Sequence, residues 1–577
     1  MKLIAAAAAA LVFVVAAPGP ATAGECGLPD TSPMWVDVVD VPFWQVFAKP
    51  GVVVSTLDPI SPPKFRARGI PTMRFDLYLY KRVGTPSKPL DPDTVIANAN
   101  RYFDFAVAQT ACTTPMIMEN ELFGAKLPTP WSETNQQYRE NVLLFLRTLA
   151  QRGAHPALLI NHKPFVDSPE AAAWWRSVAE VSDIIHESFE PANVVAAQGP
   201  LRGNRLLRQS YRAGVSPLID IGVPPSRLGV IVSFSTVRGY GGRNGLKSDR
   251  AWYRVTKWYV LSLKAVAAEL HLGSIWSWGW RWWRPAEQDP DKAKAACVWL
   301  WARDPHLCNG PRAAGKKFNR SVTEGQIRLP ANVQCRIGRA SLTDSAVYQL
   351  ERRTADRSLA LSALLARVVT RREVHVSGRA VLGAEAAVVA QRFDGSRSAY
   401  LRALAQEHVT IQLARQILAD ELRKARIELR LRSRSVSGTD VRDFYDTYGE
   451  LLARPVGVKP APLWLNGHKR GLALSSVAPS GVFSARTGST TTVRGLDGVY
   501  RVTPLGPASP LAALSFSRAA GGIGAALAAA TRRDSFASWL SSREEKALDE
   551  AVCRRDELPP IGSGELTALA PFLELSP

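Results

Sequence analysis

Between residues 33 and 311 the chain alternates short apolar runs with amphipathic stretches, and this rhythm constrains the fold more than any other feature. Short apolar runs are typical of buried parallel strands, and amphipathic stretches are typical of the helices that cover them. Together they predict an α/β fold, a (β/α)₈ barrel of the TIM type. The predicted strands are residues 35–40, 52–55, 72–79, 115–121, 157–162, 183–187, 228–235 and 274–280. A doubly wound open sheet is the alternative, but its glycine fingerprint for a dinucleotide is missing after the first run.

The remainder of the chain divides at two irregular stretches. We expect the barrel to occupy residues 24–311, followed by a basic linker over residues 312–355. Apolar residues three and four apart then predict a helical domain over residues 356–453. After a proline-containing boundary, residues 463–505 have the character of a small β-rich unit, and residues 510–577 that of a helical C-terminal segment.

The first 23 residues have the pattern of a secretory signal peptide. Lys2 is the charged head, residues 3–17 are the apolar body, and Ala21-Thr22-Ala23 is a small-residue cleavage site. No later apolar run has the length of a transmembrane helix. The pattern therefore predicts a protein that is secreted or held in the periplasm or at the cell surface.

The six cysteines form an even set in a chain predicted to be exported, which predicts disulfides. Cys297 and Cys308 are near enough in sequence to form one pair, and the other pairings remain open. None of the cysteines has the C-x-x-C spacing of a zinc site, so we predict no metal and no cofactor.

The formal charge of +21 favours an anionic partner. Predicted export makes nucleic acid the least suitable of these, so we expect a polysaccharide or another anionic polymer of the cell envelope. The alternative is that the excess charge is simply a solvated surface.

Polar side chains follow several of the predicted strands, at the edge where α/β barrels carry their chemistry. The apolar run Met116-Ile-Met118 continues into Glu119-Asn120-Glu121, and the sixth strand ends in His186-Glu187. Alternation along a strand predicts that Glu119 and Glu121 share one face, and that Asn120 takes the other unless the strand has ended. Asp76 lies on the third strand, His162 ends the fifth, and the eighth holds Trp276, Trp278 and Trp280.

Carboxylates and tryptophans together favour chemistry on sugars. Hydrolysis of a glycosidic bond uses two carboxyl groups, one protonated and one ionised, and aromatic faces stack on sugar rings. We predict Glu121 and Glu187 as the catalytic pair. The predicted substrate-binding residues are Asn120, Asp76, His162, Trp276, Trp278 and Trp280.

With Asn120-Glu121 at the end of its fourth strand, the barrel resembles the large (β/α)₈ glycoside hydrolase clan. The resemblance implies that Glu121 is the acid/base residue and that Trp278 or Trp280 lines the sugar pocket. The clan's nucleophilic glutamate ends the seventh strand, where this chain has Ser233-Phe-Ser235 and no carboxylate. The second carboxylate is therefore Glu187 or Asp76, or the barrel binds glycans without cleaving them.

Each of these residues also has a purely structural interpretation. Glu121 would then pair with a barrel arginine such as Arg74, and Glu187 would cap the next helix. The tryptophans would simply fill the end of the barrel.

The helical part, residues 359–448, resembles the chaperone region of exported SurA-type foldases. The resemblance rests on the long basic helix at 410–432 and on the aromatic pair Phe444-Tyr445 that ends a helix. Asp497-Gly498-Val-Tyr-Arg-Val502 looks like the closing strand of a parvulin-type prolyl isomerase, but His468 is the one histidine in residues 463–505, which implies a degenerate isomerase. The resemblance implies unfolded exported proteins as partners, with a plain helical accessory domain as the alternative.

Overall fold

The computed structural model describes residues 25–122, 132–237, 241–282, 285–315, 328–432, 435–495 and 498–562. The chain forms two compact units, Met1–Ile327 and Arg328–Pro577. The predicted signal peptide lies outside the described residues. No helix in the described part of the chain is both long and apolar enough to cross a membrane.

The first unit contains a closed barrel of eight parallel strands, each bonded to its two neighbours. This confirms the predicted barrel. Five strands end earlier than predicted, and those differences decide where several site residues point. The strands are Met34–Val39, Val53–Thr56, Thr72–Asp76, Met116–Glu119, His155–Ile160, Asp183–Glu187, Leu228–Ser233 and Ser274–Trp280.

Amphipathic helices surround the barrel because their apolar faces cover the outward side chains of the strands. The longer helices are Pro92–Thr110, Gln136–Gln151, Pro169–Val181, Ala192–Asp220, Asp249–Leu270 and Lys292–Arg303. Shorter helices are Trp44–Phe47, Ser61–Arg66, Leu79–Val83 and Gly310–Ala313, and Gly84–Thr85 pairs with Lys88–Pro89. Four of the longer helices have a serine or an aspartate at the N-cap, the position immediately before the first helical residue. These residues are Asp91, Ser168, Ser248 and Asp291.

Two apolar clusters show which way each strand residue points. Met116 and Met118 belong to the cluster inside the barrel, whereas Ile117 between them packs outward against the helices. This is the alternation expected of a strand. The interior cluster consists of Val36, Val38, Val53, Met73, Phe75, Met116, Met118, Ala157, Leu159, Ile185, Ile231, Trp276 and Trp278.

All six cysteines are paired, as predicted. The bonds are Cys26–Cys112, Cys297–Cys308 and Cys335–Cys553. The second is the pair that the sequence indicated. Disulfides of this number are consistent with an oxidising, extracellular environment.

The second unit begins inside the region predicted as a linker. Val333–Ile337 and Ala340–Thr343 form an antiparallel hairpin, Ala551–Cys553 adds a third strand, and the helix Asp344–Thr354 follows. These elements are ordered because their apolar residues join the core of the unit, in which Cys335, Ile337 and Leu342 are buried.

Helices form most of the second unit, and a small antiparallel sheet lies in the chain between the helices Gly438–Thr447 and Phe516–Asp549. The helices are Arg357–Glu373, Gly378–Arg392, Arg397–Gln406, Ile411–Glu428, Gly438–Thr447, Gly481–Ser484 and Phe516–Asp549. The sheet consists of Leu452–Lys459, Arg470–Leu474, Thr491–Gly495 and Gly498–Pro504, with Ser509–Pro510 at one edge. Residues 496–497 of the predicted turn lie outside the described residues. The resemblance to a SurA-type foldase stays a prediction.

A candidate active site at the barrel mouth

The mouth of the barrel, defined as the carboxyl-terminal end of its eight strands, holds the two predicted catalytic residues. Glu187 is the last residue of the sixth strand and lies two positions after the interior residue Ile185. Alternation therefore directs its side chain into the mouth, where it is partly exposed. Glu121 follows the fourth strand, which ends at Glu119.

Glu121 has a positive φ of 47°, a left-handed backbone conformation that is uncommon outside glycine. The extended conformation has thus ended before Glu121, and alternation no longer sets its direction. The prediction that Glu119 and Glu121 share one face is wrong for this reason. Glu119 interacts with Asp76, Arg82 and Arg74, whereas Glu121 interacts with Glu187.

Glu121 is close enough to Glu187 to perturb the ionisation of Glu187. Burial raises the pKa of Glu187 well above its ordinary value, and the negative charge of Glu121 raises it further. Burial also raises the pKa of Glu121. Two carboxyl groups that share a poorly hydrated site oppose each other's ionisation, which is the direction of the shift at Glu187.

Trp278 and Phe189 supply an aromatic surface next to Glu187. Trp278 belongs to the interior cluster, and its ring stacks on that of Phe189 with 6.1 Å between centroids and 21° between planes. Phe189 lies two residues after Glu187 and packs against the same cluster. The pair is therefore the aromatic group that the structure brings to the catalytic candidates.

The other two predicted tryptophans do not reach the mouth. Trp276 is fully enclosed in the barrel, and its Nε1 donates a hydrogen bond to Ser274 Oγ at 2.8 Å. Trp280 is also fully buried, but it points outward and stacks on Phe234 at 4.3 Å. Gly279 has a φ of 98°, which interrupts the alternation and rotates Trp280 away from the interior.

Two predicted strand-end residues remain, Asn120 and His162. The side chain of Asn120 is directed to the mouth, whereas that of His162 lies near an outward-facing residue. The Asn120 N–H donates to the Asp76 carbonyl at 2.9 Å, which continues the strand pairing and places its side chain on the face of Met118. His162 lies near His186, whose imidazole packs against Gly214 of an outer helix. Burial lowers the pKa of His186 to about 4, and the positive charge of His162 contributes.

Asp76 faces outward, because its neighbour Phe75 belongs to the cluster inside the barrel. Its role as the second carboxylate stays a prediction. Its carboxylate forms an ion pair with Arg82 at 2.8 Å and accepts the N–H of Tyr78 at 3.0 Å. The suggested pairing of Glu121 with Arg74 is also absent from the described ion pairs. Arg74 instead donates to Tyr102 Oη at 3.3 Å.

Glu119 occupies the same outer layer as Asp76. It is fully buried, and neither of its carboxyl oxygens has a hydrogen-bond partner among the described residues. Burial and the charge of Asp76 raise the pKa of Glu119 well above its ordinary value. The surroundings of Glu119 therefore disfavour its charged form.

A third acidic group at the mouth, Asp40, is not among the predicted site residues. Asp40 follows the first strand, forms an ion pair with Arg281 at 3.1 Å and accepts the N–H of Leu57. Burial, followed by a hydrogen bond with the carboxyl group of Asp58, raises the pKa of Asp40 to about 7. The signal was available, because Asp40 ends the predicted first strand just as Glu187 ends the sixth.

Within the described residues, no three histidine, cysteine, aspartate or glutamate side chains are grouped as metal ligands would be. No family model matches the chain, and no curated protein matches it.

Three solved structures illustrate the likeness found for the barrel region. A D-psicose 3-epimerase from Clostridium cellulolyticum H10 is 11% identical, covering 48% of this chain and all of its own, with a TM-score of 0.30. A trimodular endoglucanase of subfamily GH5_4 is 9% identical over 46% of this chain and 56% of its own, with a TM-score of 0.29. A xylose isomerase domain protein from Planctomyces limnophilus is 13% identical over 47% of this chain and 97% of its own, with a TM-score of 0.26. These similarities concern the fold alone.

Proposed function

We propose that the barrel hydrolyses glycosidic bonds in a polysaccharide, with Glu187 and Glu121 as the catalytic pair. The observation that carries the proposal is the electrostatic interaction of these two carboxyl groups at the mouth. One protonated and one ionised carboxyl group are what hydrolysis of an acetal bond needs. The stacked pair of Trp278 and Phe189 supports the proposal because it offers an apolar face for a sugar ring.

We propose roles for the two residues from their environments. Glu187 is the more strongly perturbed, because burial and the charge of Glu121 both oppose its ionisation. Glu187 is therefore the proton donor to the leaving oxygen, and Glu121 is the ionised partner. This reverses the role that resemblance to the glycosidase clan implied for Glu121.

The substrate and location follow from the same reasoning. We propose an exported protein that acts on a cell-envelope polysaccharide, supported by the leader-like first 23 residues, the disulfides and the net positive charge. Asn120 and Trp278 are the proposed substrate-binding residues.

Replacement of each carboxyl group by an amide tests the proposal. We expect Glu121→Gln and Glu187→Gln each to lower the release of reducing sugar from envelope polysaccharide by at least about 100-fold. Glu180→Gln, an exposed change on the helix Pro169–Val181, is the matched control and should keep full activity. Unchanged activity in either mouth variant, with the fold intact by circular dichroism, would contradict hydrolysis by this pair.

An activated substrate separates the two roles. A dinitrophenyl glycoside has a leaving group that needs no proton, so Glu187→Gln should regain most of its activity on it, whereas Glu121→Gln should not. Recovery by Glu121→Gln instead would show that the assignment is reversed.

The chaperone role predicted for residues 356–453 is a separate proposal that rests on sequence resemblance. The full chain should then suppress aggregation of a denatured client protein, and failure at a several-fold excess would contradict it.

A further inference from the structure

A cleft of about 340 Å³ lies beside the mouth, at the ends of the second and third strands. Its floor comes from the third strand and the residues that follow it, and one wall comes from the helix Pro92–Thr110. The lining residues are Leu57, Arg74, Phe75, Asp76, Leu77, Tyr78, Arg82, Arg101, Tyr102 and Phe105.

The cleft carries an excess of positive charge. Three of its lining side chains are arginines, Arg74, Arg82 and Arg101, whereas Asp76 is the one carboxylate in the lining and already pairs with Arg82. Burial raises the pKa of the neighbouring Glu119 well above its ordinary value, which opposes a compensating negative charge there. An anion bound in this cleft would therefore meet guanidinium groups with a net positive charge.

Arg74 is the guanidinium best placed to receive such an anion. Its hydrogen-bond and ring contacts are with uncharged groups: Tyr102 Oη at 3.3 Å, the Thr56 carbonyl at 3.4 Å and the ring of Phe105, whose centroid lies 4.9 Å away. The carboxyl group of Glu119 also interacts with Arg74 electrostatically. Among the described residues no carboxylate forms an ion pair with it. These contacts hold the guanidinium plane in position before a ligand arrives, which lowers the entropy lost on binding.

Aromatic side chains stand at the rim of the same cleft. Tyr78 and Phe105 are 44% and 40% exposed, so a ligand in the cleft can reach both rings. Tyr80 extends this surface, with its ring 6.0 Å from that of Tyr78. A ligand that combines a flat or puckered ring with a negative charge fits guanidinium groups and aromatic faces together.

The cleft adjoins the proposed catalytic site. Leu57 and Leu77 line it and also pack against the apolar cluster inside the barrel. Tyr78 lies near enough to Arg281 for the two side chains to interact electrostatically. Arg281 is the ion-pair partner of Asp40 at the mouth. A polymer held across the mouth can thus extend directly into the cleft.

We propose that this cleft is a subsite for a hexuronate unit, whose carboxylate pairs with Arg74 and whose ring packs on Tyr78 and Phe105. The inference rests on the proposed function for the polymer that leads from the mouth into the cleft, and it narrows the substrate to an acidic polysaccharide. A paired guanidinium–carboxylate contact is short, planar and specific for geometry, so a neutral sugar would not replace it.

Binding is tested with the full chain carrying Glu187→Gln, so that no probe is cleaved. Trimers of galacturonate, glucuronate and mannuronate, their methyl esters and inorganic phosphate are titrated by calorimetry. We expect at least one acidic trimer to bind about tenfold or more tightly than its own ester, because the ester keeps the ring and removes the charge. Arg74→Gln should abolish that preference.

Arg147→Gln is the matched control, because it removes the same charge from an exposed position on another barrel helix. It should preserve the preference for the acid, which shows that net charge alone is insufficient. Equal binding of acid and ester, no binding of any trimer, or an unchanged preference in Arg74→Gln would each overturn the inference. Phosphate bound as tightly as the acidic trimer would overturn it too, by revealing a general anion site.

The outcomes also separate this inference from the proposed function. Cleavage of a neutral polysaccharide without any preference for acidic trimers would contradict the hexuronate subsite and leave hydrolysis standing. A preference for acidic trimers without cleavage by the unmodified chain would contradict hydrolysis and leave the subsite standing.

Discussion

At the scale of single residues, Glu544 shows how a buried acid couples stability to pH. Its side chain is fully buried on the helix Phe516–Asp549, and one oxygen accepts the N–H of Gly562 at 3.1 Å. Burial raises its pKa to about 7, and the Gly562 contact only partly opposes this. The folded state therefore holds a proton that the unfolded chain releases at a lower pH.

We expect the free energy of unfolding of the second unit to fall as pH rises from about 4.5 to 7. The folded-state pKa lies above the unfolded value, so the stabilisation is complete at low pH and is lost as pH rises through the folded pKa. A shift of this size corresponds to roughly 3 kcal/mol. Glu544→Gln keeps an acceptor for Gly562 and should remove this part of the decline, as measured by urea unfolding at pH 5 and pH 8.

The exposed neighbour Glu545 provides the control. Glu545→Gln should follow the profile of the unmodified chain. A pH dependence that is the same in Glu544→Gln and in the unmodified chain would contradict the assignment.

Residue type and strand position predicted part of the site. Glu187 was identifiable because it ends a strand whose length the sequence indicates correctly. The type of a residue near a strand end does not reveal in the sequence which face of the sheet its side chain takes. Asp76 and Trp280 point outward, although both were predicted to line the site. Their directions depend on where the strand stops and on the turn at Gly279, which the apolar pattern does not contain.

At the scale of elements, the packing of the helix Ala192–Asp220 on the sixth strand depends on Gly214. A methyl group added there would overlap the imidazole ring of His186. The barrel core has little room to adjust, because close-packed interiors transmit such a displacement. The helix therefore approaches the strand at a glycine.

We expect Gly214→Ala to destabilise the barrel by about 1–3 kcal/mol, because overpacking outweighs the better helix propensity of alanine. Gly521→Ala is the matched substitution in the helix Phe516–Asp549, where an added methyl group meets no atom within 4 Å. It should stabilise its unit by up to about 1 kcal/mol. Thermal unfolding of both variants checks the signs, and a neutral Gly214→Ala would show that His186 can move aside.

Periodicity predicted the barrel elements well because each buried strand and its helix form a local pattern of apolar residues. The strand Val333–Ile337, by contrast, was assigned to a linker. Its apolar residues do alternate, but the run is short and lies among basic residues. Its partner Ala551–Cys553 is more than 200 residues away, and no local pattern reveals such a pairing.

At the scale of the whole molecule, the disulfides close loops of very different length, and Cys26–Cys112 has an intermediate sequence separation of 86. Cys297–Cys308 closes a short loop in the barrel unit, with a sequence separation of 11. Cys335–Cys553 joins the first and last strands of the second unit, with a separation of 218. In the chain-entropy model, a longer closed loop restricts the unfolded chain more.

We expect the double variant Cys335→Ser/Cys553→Ser to lose roughly 5 kcal/mol of unfolding free energy in the second unit, because the unfolded chain regains the freedom of the long loop. The double variant Cys297→Ser/Cys308→Ser should lose only roughly 3 kcal/mol in the barrel unit. Urea unfolding, with each unit followed by hydrogen exchange of its own peptides, measures both losses in one experiment. If the short-loop variant loses as much as the long-loop variant, native contacts of the bonds rather than chain entropy determine their contribution.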